Sequence, residues 1–138
     1  MKTTFYHCNV CGNIMAAVVP SGVIPFCCKE EMEAMEANST EGKVDYHIPV
    51  VERIDECTIK VKVGKEPHPM TQEHHISFIV VETCDGAMIK YIDKCQNPEA
   101  EFLCKEEPQA VYAFCNLHGL WRCKCKCKEN ASQDKCSQ

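Results

Sequence analysis

The sequence lacks a long apolar run. The longest stretch, around Ile14 to Val19, falls far short of the roughly 18–20 residues that cross a bilayer. Cys, His and Asn precede it, where an export signal would carry Lys or Arg beside its apolar segment. These two absences point to a cytoplasmic chain with no membrane partner. Basic charge is also in short supply: 15 Lys and Arg against 20 Asp and Glu leave a formal charge of −5. That balance argues against a nucleic-acid binder, which needs a basic face to neutralise phosphates. A small anion drawn to a local basic patch is still compatible with it. No low-complexity tract occurs, and with 45% hydrophobic residues in 138 the chain is long and apolar enough to bury a core.

What it has in excess is cysteine, 13 residues of it. In a secreted chain this would read as a disulfide scaffold, but a reduced compartment turns the same excess into a sign of metal binding, and an odd total cannot pair fully within one chain. Cys8 and Cys11 form a C-x2-C pair, and Cys27 and Cys28 supply two more thiols after 15 intervening residues. Such a set on two turns completes a four-sulfur site for zinc or iron. Adjacent Cys27 and Cys28 can share one ion only if the backbone between them bends.

Along the chain, residues 1–37 read as a hairpin-rich metal module with turns at Gly12-Asn13 and Pro20 to Gly22. Lys29 to Ala37 is rich in Glu, Met and Ala and reads as one or two helical turns, and Asn38 to Lys43 as a polar linker. Strands follow at Ile48 to Glu52, Thr58 to Val63, Ile76 to Glu82, Ala87 to Ile92, Glu101 to Cys104 and Val111 to Phe114. Thr58 to Val63 alternates with period two, and Asp85-Gly86 is a primed-turn hairpin signal. The expected fold is all-β, with six or seven antiparallel strands over residues 38–122 forming a β-sandwich.

Five of the six histidines fall between His47 and His118, four of them beside turns or strand ends: His47, His68, His74 and His118. Cys115 and His118 have the C-x2-H spacing that lets a thiolate and an imidazole reach one ion. Four neutral imidazoles and one thiolate suit iron with an open position better than structural zinc, which prefers four ligands.

Taken together, Tyr6-His7-Cys8-Asn9-Val10-Cys11-Gly12-Asn13, Cys27-Cys28, His47-Ile48-Pro49, His68-Pro69-Met70 with His74, and Cys115-Asn116-Leu117-His118-Gly119-Leu120-Trp121 resemble the desulfoferrodoxins, two-iron superoxide reductases. The resemblance covers about residues 5–121. It implies a small desulforedoxin-like domain followed by an immunoglobulin-like sandwich, usually as a homodimer. By it, Cys8, Cys11, Cys27 and Cys28 hold one non-haem iron, and His47, His68, His74, His118 and axial Cys115 hold a catalytic second. His75 is left out, because His74 has the family's spacing from His68. The implied reaction reduces superoxide to hydrogen peroxide with an external electron donor such as rubredoxin. A rubredoxin-like electron carrier or a zinc-stapled binding module would need the four cysteines and not the histidines with Cys115.

One departure concerns the residues before the first ligand histidine. The family usually has Glu-Lys there, the lysine attracting superoxide and the glutamate binding oxidised iron, whereas this chain has Asp45-Tyr46. Tyr46 is uncharged at neutral pH, so Lys43 is the candidate cation for the same mouth. The tail from Cys123 alternates Cys123, Cys125 and Cys127 with lysines and ends near Cys136. Those four thiols are a candidate third centre, iron-sulfur or zinc, the alternative being a flexible basic tail with reactive thiols. Cys57, Cys84, Cys95 and Cys104 have no chelating spacing and read as small, partly buried residues.

Overall fold

The computed structural model describes residues 3–123. The chain divides into two compact units between Glu36 and Ala37. Among the described residues nearly all regular structure is strand, and no helix is long and apolar enough to cross a membrane.

In the first unit, β1 (Thr4–His7) lies between β2 (Ile14–Ala17) and β5 (Glu33–Ala34), and β3 (Phe26–Cys27) pairs with β4 (Glu30–Glu31). The helical turns expected over Lys29 to Ala37 are absent; that stretch holds β4 and β5. The propensity of Glu, Met and Ala is worth only a few tenths of a kcal/mol per residue. Here pairing of His7 with Glu33 and burial of Met32 against Tyr6 and Cys8 override it.

The second unit opens with one helical turn, α1 (Val44–His47), which stops where Ile48 turns extended ahead of Pro49. Two sheets follow. One has the order β10 (Glu99–Leu103), β7 (Thr58–Val63), β6 (Pro49–Asp55); the other runs β12 (Gly119–Arg122), β11 (Ala110–Cys115), β8 (Ile76–Thr83), β9 (Gly86–Tyr91). All the pairings are antiparallel. The alternation in β7 buries Ile59, Val61 and Val63, which meet Phe102 of β10 and Ile79, Val81, Val111 and Ala113 of the other sheet. Each such burial contributes about 1.5–3 kcal/mol. β11, central between β8 and β12, is buried along its whole length, and Cys115 at its end belongs to this core.

Three sequence expectations change here. The β8–β9 hairpin forms, but its loop is Cys84-Asp85, with Thr83 paired to Gly86 and no positive φ at either loop residue. The Thr83 hydroxyl donates to the Asp85 carboxylate at 2.9 Å and fixes this non-primed turn. Asn38 to Lys43 is not a free linker. Asn38 bonds the main chain of β12 three times, at Leu120 O and at both the N–H and the carbonyl of Arg122. Finally, Cys57 and Cys95 are exposed rather than partly buried. Each sits two residues beyond an aspartate that caps it, Asp55 or Asp93, in the tight turns preferred by such side chains. Cys104 is buried and Cys84 half-buried.

Candidate metal centres

In the first unit, Cys8 follows β1 and a tight turn returns Asn13 to it, with the Cys8 N–H donating to Asn13 O at 2.8 Å. Gly12, at φ +81°, makes that turn possible, and the Cys11 N–H points at Cys8 Sγ at 3.5 Å. On the facing β3–β4 hairpin, Cys28 and Lys29 both adopt left-handed backbone, with φ of 53° and 64°. This bend brings the adjacent thiols Cys27 and Cys28 to one side. The four sulfurs lie within 4.8 Å of one another. Cys11 and Cys27 are 3.7 Å apart and Cys27 and Cys28 4.0 Å. A tetrahedron with metal–sulfur bonds of about 2.3 Å has edges of about 3.8 Å. Electrostatics agree with that geometry. The N–H groups of Cys11 and Val10 pull the Cys8 thiol down to about 6, whereas hydrogen bonding to the Cys11 and Cys8 sulfurs pushes Cys28 up to about 12. Only a cation lets all four ionise together.

In the second unit, four histidines form a closed ring. Neighbouring ring centroids are 4.8 Å apart for His47 and His68, 4.6 Å for His68 and His74, 5.0 Å for His74 and His118, and 4.8 Å for His118 and His47. Across the square, His47 and His74 are 6.3 Å apart. Successive rings meet at 72–84°, like the blades of a propeller. Cys115 Sγ approaches His118 Nδ1 at 3.7 Å, and one donor atom each from His47, His74, Cys115 and His118 lies within 4.8 Å of the others. His68 falls outside that tightest set and belongs to the group through its ring contacts.

Local structure aims each ring. The His47 Nδ1–H donates to Lys43 O at 2.8 Å and the His68 Nδ1–H to Pro69 O at 2.7 Å; a carbonyl only accepts, so both rings present a bare Nε2 inward. His47 Nε2 is 3.1 Å from His118 Nδ1. The buried Nε2 atoms of His68 and His74 have no hydrogen-bond partner. Burial without a partner costs about 1–3 kcal/mol per polar group, which a metal ion would offset. Burial also lowers the pKa of His47, His74 and most of all His68, to about 4, so the imidazoles stay neutral as ligands require. Thr71 turns the chain toward His74 by accepting its N–H at 3.0 Å. A register shift after Phe114 re-aims Cys115. Burial raises the Cys115 thiol, and the N–H groups of His118 and Leu117 oppose that. The donor set thus fits a thiolate-tolerant ion such as iron.

The sequence reading missed several supports. Trp121 stacks on His47 at 4.8 Å and 25°, and its indole N–H donates to His118 O at 3.0 Å. Asn116 accepts the His75 N–H at 2.8 Å and donates to Glu73 O at 2.9 Å, clipping the His74 loop to the turn after Cys115. Thr40 donates to His118 O. Trp121 is the only tryptophan, a signal available in the sequence; the backbone carbonyls of Lys43 and Pro69 leave none. Of the residues expected at the mouth, Asp45 and Lys43 are exposed and Tyr46 half-buried on α1, with Lys43 Nζ 5.8 Å from the Tyr46 ring centroid.

Residues 37–124 match the family model described as Desulfoferrodoxin. The chain belongs to the desulfoferrodoxin family. It is 41% identical to the desulfoferrodoxin homolog of Methanothermobacter thermautotrophicus over 84% of this chain and 94% of that protein. It is 34% identical to a superoxide reductase of Thermococcus kodakarensis over 65% of this chain and 94% of the relative. Among solved structures it matches the crystal structure of the superoxide reductase from Treponema pallidum, with a TM-score of 0.75 and 31% identity over 90% of this chain and all of the other. For a desulfoferrodoxin, two clusters of metal-ligating side chains, one of four thiols and one of imidazoles with a thiolate, imply iron. Of the tail cysteines expected to form a third centre, Cys123 packs half-buried on the sandwich core, and Cys125, Cys127 and Cys136 lie outside the described residues.

Proposed function

We propose that this desulfoferrodoxin is a superoxide reductase, and the observation that carries the reading is the closed ring of four histidines beside the buried Cys115 thiol. His47, His68, His74, His118 and Cys115 are the residues that hold the catalytic iron, and Cys8, Cys11, Cys27 and Cys28 hold the second iron in a desulforedoxin-like domain over residues 1–37. When bound, the catalytic iron supplies one electron to superoxide, which with two protons becomes hydrogen peroxide. The neutral imidazoles leave the charge of the ion uncancelled, so an anion is drawn toward the ring. Carbonyls of Lys43 and Pro69 fix two tautomers and so keep the donor atoms facing inward. Burial of Cys115 keeps water from its sulfur, which donates electron density as thiolate ligands do.

Tyr46 supplies no charge, so steering at the mouth falls to the exposed Lys43 ammonium, with Asp45 beside it on α1. Electrons arrive from an external donor such as rubredoxin, and the protein works in the cytoplasm as a homodimer. Support for the dimer comes from the first unit, where Val18, Val19, Val23 and Phe26 are each 68–82% exposed, more apolar surface than a small free-standing module normally leaves to water. An electron carrier would need only the four-cysteine cluster and would give the histidine ring no use.

Anaerobic purification with iron quantification tests the assignment. The expected result is about two irons per chain and a thiolate-to-iron charge-transfer band abolished by Cys115→Ser; zinc in both centres, or a band unaffected by that substitution, would refute it.

A further inference from the structure

The proposed metal centres use five of the 13 cysteines; outside the tail that starts at Cys123, this leaves Cys57, Cys84, Cys95 and Cys104 without a role. Two of these face each other. The β7–β10 ladder pairs Lys62 with Glu99, Val61 with Ala100 and Ile59 with Phe102. Main-chain bonds extend the same register past both ends, from Val63 N–H to Pro98 O at 2.9 Å and from Cys104 N–H to Cys57 O at 2.8 Å. Cys57 and Cys104 are therefore the next opposed positions, joined by this single main-chain bond because the Cys57 N–H goes to Asp55, and opposed antiparallel residues have Cα atoms about 4.5–5.5 Å apart. Disulfides span Cα separations of about 4.4–6.8 Å. The period of two continues from Phe102 to Cys104 on the buried face of the sheet, and Cys57, in the turn just before β7, lies opposite Cys104 along the ladder. Their exposure differs: Cys57, in the loop between β6 and β7, is exposed, whereas Cys104 is buried.

We infer that Cys57 and Cys104 are a peroxide-oxidisable thiol pair, Cys57 the attacked sulfur and Cys104 the resolving one. The inference rests on the superoxide reductase reading for its oxidant, since hydrogen peroxide is the product of that reaction. The Cys57 sulfur attacks the O–O bond, takes up one oxygen as a sulfenic acid and releases one water. The Cys104 sulfur then attacks the Cys57 sulfur, the S–O bond breaks and a second water leaves. Two thiols lose two electrons in all, hydrogen peroxide is reduced to two waters, and both thiol protons end in those waters. Burial with raised thiol pKa keeps Cys104 from reacting first, and its thiol donates to Glu106 O at 3.1 Å until then. The other two thiols lack this arrangement. Cys84 donates to the Glu106 carboxylate at 3.1 Å, and Cys95 lies in the turn after β9.

The test adds a small excess of hydrogen peroxide to the full iron-loaded protein, followed by alkylation, digestion without reductant and peptide mass mapping. Expected is a peptide pair joined through Cys57 and Cys104, two hydrogens lighter than the separate peptides. It should revert with dithiothreitol, vanish in Cys57→Ser and Cys104→Ser, and persist in Cys84→Ser and Cys95→Ser. Both thiols still alkylatable, Cys57 halted at the sulfinic acid, or Cys104 joined to Cys84 would each overturn the inference. Because the oxidant is supplied, these outcomes do not depend on whether the iron reduces superoxide, which is scored separately by the superoxide assay.

Discussion

Replacing Gly64 by alanine should damage the histidine ring although Gly64 is not one of its members. Gly64 follows β7 at φ +86°, a conformation that costs a residue with a Cβ about 1–2 kcal/mol. The added Cβ would also sit 2.5 Å from Glu66 O, 2.7 Å from Asp45 O and 2.7 Å from the Tyr46 carbonyl carbon. All three are backbone atoms, so no side chain can rotate out of the way. Reaching an ordinary contact of about 3.4 Å requires a shift of roughly 0.9 Å from Glu66 in the following turn and roughly 0.7 Å from α1, which carries His47. Metal sites tolerate errors of about 0.2 Å in ligand distance, and a misplacement of about 1 Å in a reactive site costs on the order of 100-fold in rate. Combining the left-handed strain with the clash, Gly64→Ala should destabilise the second unit by roughly 2–3 kcal/mol, which lowers Tm by about 10–20 °C for a unit of this size. The assay is a thermal melt together with iron content and absorption. The four-cysteine centre lies in the other unit and serves as the internal control: its iron should stay while the histidine-bound iron is depleted. A melt unchanged within about 2 °C, with both irons at full occupancy, would refute this reasoning.

Other perturbations read different parts of the molecule. Asn116→Ala removes both side-chain bonds that clip the His74 loop, so the histidine-bound iron should be lost to a chelator at about 10–100-fold lower concentration; an unchanged chelator midpoint would show that the loop is held by other contacts. In the iron-free chain, folding depresses the pKa of His47, His68 and His74, His68 to about 4 from an ordinary value near 6.5. The unfolded chain therefore binds more protons across that window, and stability should be level above about pH 7 and fall as pH drops toward 4; a denaturation midpoint constant from about pH 7 to 4.5 would contradict the burial of these rings. Tyr46→Lys places a cation on α1 beside the ring and should raise the superoxide association rate at low salt by at least about twofold, with a steeper salt dependence. An unaltered rate and salt slope would mean that this position does not steer the anion.

Much of this was legible in the sequence where chemistry or period repeats. The strand Thr58 to Val63 is visible because its alternation meets a core on one side only, and the strands around it follow from their β-branched runs. The spacing of Cys8, Cys11, Cys27 and Cys28 is readable because few other arrangements need it. Short-range features were not. A helix of four residues is shorter than any periodic pattern, so α1 was invisible apart from the Pro49 that ends it. Lys29 to Ala37 misled because local propensity there is outweighed by pairing and by burial of Met32. Cys57 and Cys95 misled because cysteine is usually buried, while the aspartate two positions earlier in each case marks a turn. The carbonyls that orient His47 and His68 exist at every residue, so only the folded backbone shows which ones act.

The central claim, that an iron in the histidine ring beside Cys115 reduces superoxide rather than dismutating it, is tested most directly by product yield. The reduced, iron-loaded protein is mixed rapidly with a limiting amount of superoxide, and peroxide and oxygen are measured together. The account predicts one hydrogen peroxide for each superoxide consumed, no oxygen released, and loss of this activity in Cys115→Ser. Release of one oxygen for every peroxide formed, or full activity in Cys115→Ser, would contradict it.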